Sequence, residues 1–331
     1  MVIRRLTLLF LIGAAALGGS LAPSARAQRP AEPVAPPEPP PPPLQVPAGY
    51  AIQRDVNLVL LHVSVDDAHG QFVPGLGRES FRVYEDGVEQ QISVLRQEDV
   101  PVSMGLLIDN SGSMEDKRPG VNAAAMTLVK TSNPVDEVFV AHFNDNYYLD
   151  LPEPFTSNVA ELSKALEHLE SDGATALYDA ILSALGHLKS GYNDKKVLFI
   201  VSDGEDNYSR SAYAATLEQA QRSNAMIYAV GLLSEEKPES AERDRRALTG
   251  LSEATGGEAF FPESVPQVES ICTQIAHDIR HQYTIGYYSS NASRDGTFRS
   301  VRVTAFPPPG QEKLSVRTRS GYFARADLAG K

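Results

Sequence analysis

The sequence predicts an α/β layer, a doubly wound and mostly parallel six-stranded sheet flanked by helices, inserted into a small β-sandwich formed by the segments on either side. Three observations predict it. Four short unbroken apolar runs, Val102–Ile108, Val138–Phe143, Val197–Val201 and Met226–Leu232, have the length and continuity of strands buried on both faces. Between and after them lie stretches whose apolar residues recur at helical spacing. The flanks carry period-two alternation instead, and each is too short to bury a core alone.

Composition sets the outer limits. The 331 residues are 42% hydrophobic and 22% charged, the balance of a folded chain and not of a disordered one. Thirty Lys and Arg against 42 Asp and Glu leave a formal net charge of −12. No positive field offsets phosphate repulsion, which excludes nucleic acid and anionic lipid as main partners. The single cysteine, Cys272, excludes an internal disulfide and a cysteine-ligated zinc or iron–sulfur centre.

Taken in order, Arg4 and Arg5 precede an apolar run from Leu6 to Gly19, and Ala25-Arg26-Ala27 supplies a small-x-small cleavage site. Residues 1–27 therefore read as a secretory signal peptide; the run is shorter than the roughly 20 residues a spanning helix needs. Cleavage predicts an exported chain, periplasmic or secreted to the cell surface, with no membrane span in its mature form. Loss of the three arginines in this segment, which holds no acid, moves the formal charge from −12 to −15. Residues 28–50 are dense in proline and read as a stiff polyproline linker.

Residues 51–99 form the expected N-terminal half of the sandwich: alternation over Leu58–Val65, then Phe81–Tyr84, a turn at Asp86-Gly87 and a return strand Val88–Leu95. Residues 100–280 are the α/β unit. Its helices are expected over Lys117–Thr131, Val159–Leu169, Ala176–Lys189, Ser211–Ser223, Ser240–Ala254 and Pro266–Ile279; Leu177, Ile181, Leu185 and Leu188 share one face of the third. Asn144-Asp145-Asn146 makes a hairpin to a short antiparallel edge at Tyr147–Asp150. Residues 281–325 supply the other sandwich half, with strands over Tyr283–Tyr288, Phe298–Phe306 and Leu314–Thr318, and 326–331 are a tail.

The chemistry gathers at strand ends. The first apolar strand runs into Asp109-Asn110-Ser111-Gly112-Ser113, the run Val197–Val201 into Ser202-Asp203-Gly204, and the loop Ser171–Thr175 opens a helix. In the strand order 3-2-1-4-5-6 the first and fourth strands are neighbours at the switch point, where ligands bind beyond the carboxyl ends. Asp109 and Asp203 then face each other with Ser111, Ser113 and Thr175 around them: two carboxylates and three hydroxyls, hard oxygen donors suited to Mg²⁺ or Mn²⁺. Taken singly, Ser113 and Thr175 also read as helix caps and the aspartates as loop acids.

These five residues resemble the metal-ion-dependent adhesion site of von Willebrand factor type A domains, in which D-x-S-x-S is followed by a later Thr and a later Asp at a strand end. The resemblance covers about residues 100–276. The β-rich flanks are similar to those of a group of exported bacterial type A proteins, and to the integrin β subunit, whose domain is inserted in a sandwich. It implies metal ligation by Asp109, Ser111, Ser113, Thr175 and Asp203, with Mg²⁺ (or Mn²⁺) as cofactor and a protein partner whose Asp or Glu carboxylate completes the shell.

The expectation is accordingly a divalent-metal-dependent protein-binding module and not an enzyme. A metal-dependent hydrolase is the alternative from another class, and it lacks a histidine or carboxylate with an evident general-base role in the three loops. A structural envelope protein whose ion only staples the loops is the third. His277 and His281 have helical i, i+4 spacing, but His281 falls where helix gives way to strand. Further coupling is expected if the helix over 266–279 transmits occupancy to the sandwich it leads into.

Overall fold

A computed structural model describes residues 58–326, apart from 98, 132, 168–170, 235, 309 and 311–312. The expected signal peptide and proline-rich linker lie outside the described residues.

The N-terminal flank gives β1 (Leu58–Asp66), β2 (Phe81–Glu85), β3 (Val88–Gln90) and β4 (Ile92–Gln97). The α/β unit follows as β5 (Val102–Asp109), α1 (Arg118–Thr131), β6 (Glu137–Phe143), β7 (Tyr147–Leu149), α2 (Val159–Glu167), α3 (Leu177–Leu188), β8 (Lys195–Ser202), α4 (Tyr213–Arg222), β9 (Ala225–Gly231), α5 (Pro238–Thr255), β10 (Ala259–Phe260) and α6 (Pro266–Arg280). The C-terminal flank adds β11 (Tyr283–Tyr288), β12 (Phe298–Ala305), β13 (Ser315–Arg317) and β14 (Gly321–Phe323).

The central sheet has the order β10-β9-β8-β5-β6-β7. All its pairings are parallel except β6 with β7. This is the doubly wound order the apolar runs predict, with β5 and β8 adjacent. Side chains alternate across it. Met104, Leu106 and Ile108 pack with Val121 and Leu128 of α1 and Cys272 and Ile275 of α6. Leu107, Phe139 and Ile200 face Leu177, Ile181 and Leu185 of α3 and Leu248 of α5. Burying each such side chain contributes about 1.5–3 kcal/mol. Close packing also dictates the glycines: a Cβ at Gly257, just past α5, would stand 2.0 Å from the Ile227 carbonyl oxygen of β9.

The flanks form two four-stranded sheets, β13-β1-β11-β4 and β14-β12-β2-β3, closed over a shared core that includes Leu61, Val63, Phe81, Val83, Ile285 and Tyr287. Their strand pairs are antiparallel. One expectation needs correcting. The return strand Val88–Leu95 is not continuous: Val88–Gln90 pairs with β2, whereas Ile92–Gln97 pairs with β11 in the other sheet. Gln91 makes the corner by which one strand serves both layers. Gln97 at the end of β4 is paired with Tyr283 at the start of β11, so the α/β unit leaves and rejoins the sandwich at one point.

A partly buried polar cluster sits where α6 and β9 meet β1 and β13. Asp278 accepts from Ser64 Oγ at 2.7 Å, from Arg317 Nη2 at 2.6 Å and from the Tyr228 hydroxyl. Arg317 Nη1 donates to Glu258 Oε2 at 2.5 Å, and Gln282 Nε2 to Ser64 Oγ at 3.0 Å. Burial opposes the Arg317 charge, yet Asp278, Tyr228 and Glu258 together hold its guanidinium well above its usual pKa.

Candidate functional site

Three loops converge beyond the carboxyl ends of β5 and β8. Parallel pairing of the two strands runs to Ile108 with Val201, which brings Asp109 beside Ser202 and leaves Asp203 one residue further on. The chain after Asp109 turns through a single 3-10 turn, Gly112–Met114, before α1. Asp172 N donates to the Asn110 carbonyl at 3.1 Å and Gly112 N to the Gly173 carbonyl at 3.4 Å, which seats the loop before α3 against this turn. The loop after β8 is tied in turn to Thr175: Thr175 N donates to Asn207 Oδ1 at 2.9 Å, and Asn207 N to the Thr175 carbonyl at 3.1 Å.

The predicted oxygens come together as a chain of contacts. Asp109, fully buried, accepts from Ser111 N at 2.9 Å on one oxygen and from Ser202 Oγ at 2.5 Å on the other. The Ser111 and Ser113 hydroxyls lie 3.2 Å apart, and Ser113 Oγ donates to Asp203 Oδ2. Thr175 is buried and is brought to the site by the loop contacts just described. Ser113 thus spends its hydroxyl on Asp203, and α1 begins five residues later at Arg118, so its reading as the cap of that helix does not hold. The residue that caps α3 is Ala176, whose side chain makes no capping bond.

The electrostatics are unbalanced. Burial first, and the like charge of Asp203 second, push the Asp109 carboxyl up to about 6, against the pull of its hydrogen bonds from Ser202 and Ser111. Asp203 Oδ1 is buried without any hydrogen-bond partner. Nearby, burial followed by Asp244 and Asp203 raises the Glu236 carboxyl to about 7. Arg118, buried behind Asn110 and donating to its side-chain oxygen, is the cation within reach of Asp109. Two carboxylates held together, one with an unused buried oxygen and both flanked by neutral hydroxyls, match the donor set of a hard divalent cation. Among the described residues no cluster of three or more His, Cys, Asp or Glu side chains is gathered for a metal; the fit rests on hydroxyls completing two acids.

Three contributors escaped the sequence reading. Ser202 orients Asp109 and also accepts from Gly204 N at 2.9 Å; its position as the last residue of an apolar run is the signal that points to it. Asn207 and Arg118 carry no such signal. Asp179 accepts from Arg210 N at 2.9 Å and Ser211 N at 3.0 Å, which gives it a role in holding the loop after β8. The His277 and His281 rings stack 3.8 Å apart, and a ring nitrogen of His281 lies 2.7 Å from the His277 carbonyl oxygen. Among the described residues no helix is long and apolar enough to cross a membrane.

Residues 104–205 match the family model of the von Willebrand factor type A domain. An uncharacterized protein of Synechocystis sp. is 28% identical over 112 residues, 33% of this chain and 26% of that protein; the match thus spans about a quarter of the relative's length. Similar solved structures include a von Willebrand factor type A protein from Catenulispora acidiphila, 12% identical with a TM-score of 0.47, covering 84% of this chain and 76% of that one. The von Willebrand factor domain of the type V pili tip protein from Porphyromonas gingivalis is also 12% identical with a TM-score of 0.47, over 55% of this chain and 95% of that one.

Proposed function

The chain carries a von Willebrand factor type A domain, and from that premise we propose that it is an exported interaction module that captures a partner protein through a divalent cation. The observation that carries this reading is the buried, unpartnered oxygen of Asp203 within electrostatic reach of an equally buried Asp109. Asp109, Ser111, Ser113, Thr175 and Asp203 would hold Mg²⁺ or Mn²⁺. Such an ion, offset by only two acids, supplies a Lewis-acidic position attractive to an Asp or Glu of the partner.

The chain's own residues set up that position. Ser202 and Ser111 N fix both oxygens of Asp109, so its orientation does not depend on what is bound. Hydroxyls at 111 and 113 offer oxygens without adding negative charge. Hydrogen bonds among residues 110, 112, 172, 173, 175 and 207 already join the three loops, which argues against an ion serving as a mere staple. Export rests on the signal sequence read in residues 1–27.

Calorimetric titration of Mg²⁺ and Mn²⁺ into the protein, beside Asp109→Ala and the double variant Ser111→Ala/Ser113→Ala, tests the proposal. One-to-one binding lost in both variants supports it and opens a search for the partner with and without chelator. A parent protein that binds neither ion, alone or with a carboxylate peptide added, removes the metal from the reading.

A further inference from the structure

A second concavity lies at the other end of the sheet from Asp109 and Asp203, where β1, β12 and β14 of the sandwich meet the end of α4 and the start of β9. It encloses about 810 Å³, within the range of small-ligand sites. One part of its wall is apolar. Val59, Leu61 and Val63 of β1 point into the sandwich core, so the alternate residues Leu58 and Leu60 turn outward and stand 40% and 47% exposed at the cleft. Phe323 extends this surface.

The other part is cationic, in a chain whose net charge is −12. Arg222 is paired with Glu218 and stacked on Phe323, and Arg299 is paired with Asp295. Arg319 is different. Its Nε donates to the Gly321 carbonyl at 2.7 Å, Nη1 to Asn224 Oδ1 at 2.6 Å and Nη2 to the Gln221 carbonyl at 2.7 Å. All three acceptors are neutral, and among the described residues no carboxylate pairs with it. Burial pulls its pKa below the ordinary value. A largely buried guanidinium without a counter-charge is costly unless an anion joins it. Three of its five N–H groups are committed, which leaves one on each terminal nitrogen to donate to the oxygens of a carboxylate or phosphate. Beside it His62 brings a buried Nδ1 with no partner. Burial, then Lys195 and Arg319, hold that imidazole down at about 3, so it is neutral and able to donate one hydrogen bond. The acid on the wall is Asp194.

We propose that this cleft binds a small amphipathic anion, its carboxylate or phosphate head on Arg319 and His62 and its apolar chain along Leu58, Leu60 and Phe323. Binding is independent of the metal site, since β9 starts at the cleft with Ala225 and Met226 and ends on the side of Ser202.

The test is calorimetric titration of decanoate, decyl phosphate, inorganic phosphate and decyltrimethylammonium into the full chain with chelator present. One-to-one binding of decanoate, decyl phosphate or both is expected, and which of them binds identifies the head group. Leu60→Asp, at a half-exposed position of β1, and Arg319→Gln each weaken it about tenfold or more, equivalent to about 1.4 kcal/mol. The proposal is overturned if neither amphiphile binds, if the decyl cation or inorganic phosphate binds as tightly, or if Leu60→Asp changes nothing. Binding that appears only after Asp327→Ala with Leu328→Ala overturns it in favour of the chain's own terminal residues as occupant.

Discussion

Arg317→Met tests how the α/β unit is fastened to the sandwich. The side chain lies in β13, is 22% exposed, and reaches Asp278 of α6, which is 13% exposed, and Glu258, which is 37% exposed. Methionine keeps most of the apolar stem and removes the cation. Breaking a buried pair by deleting one partner costs about 3–5 kcal/mol, because the other charge is left uncompensated. Glu258 is exposed enough to contribute little, and the Tyr228 and Ser64 hydroxyls still donate to Asp278, so the expected loss is about 2–4 kcal/mol. For a unit of this size that lowers Tm by about 5–15 °C. The chain has 13 tyrosines and no tryptophan, so guanidinium unfolding is followed by tyrosine absorbance and far-ultraviolet circular dichroism. The double variant Arg317→Met/Asp278→Asn recovers part of the loss, with a coupling of about 1–2 kcal/mol. A single-variant loss below about 1 kcal/mol, or strictly additive effects, would refute the view that charge compensation at Asp278 joins the two layers.

Two further outcomes follow from residues far from that contact. His62 is held neutral in the fold with a pKa near 3 against an ordinary 6.5, chiefly by burial; the unfolded chain takes up its proton first as pH falls, so stability drops across the window from about 6.5 to 3. At pH 5 this contributes about 1–2 kcal/mol of loss, and His62→Gln should narrow the difference in Tm between pH 7 and pH 5; an unchanged difference removes His62 as the cause. If the signal sequence is processed as read, N-terminal sequencing of the exported chain begins at Gln28, whereas a chain that begins at Met1 removes export from the proposed function.

The parts of this molecule that were legible in its sequence share a cause. Strands β5, β6, β8 and β9 are buried on both faces, so they are apolar without interruption, and the order of the central sheet follows from the helices between them. The corner at Gln91 was not legible, because alternation continues across it and only long-range pairing tells which sheet each half joins. Strand β14 was missed for a similar reason: Gly321-Tyr322-Phe323 is too short to show a period. At the candidate site, residue type and placement near strand ends singled out five residues, and four of them are linked by hydrogen bonds, directly or through a main-chain amide. What could not be read was the burial that raises Asp109, the approach of Arg118 and the help of Ser202, since these depend on partners as much as 93 residues away.

The pairing of Gln97 with Tyr283 has a consequence for how the chain folds. From the sandwich's side, the whole α/β unit is the connection of a single antiparallel hairpin, a loop of roughly 185 residues whose closure would cost an unstructured chain about 4–5 kcal/mol. A folded α/β unit removes that cost, because its own packing delivers the end of α6 back beside the start of β5. During synthesis β1 to β4 emerge first; β2 and β3 can pair with each other, but β1 and β4 wait without partners while the intervening unit forms and are completed last by β11 and β13. The sandwich is therefore the late-forming part of the molecule, and its N-terminal strands are the ones exposed to misassociation until the segment from Tyr283 onward arrives.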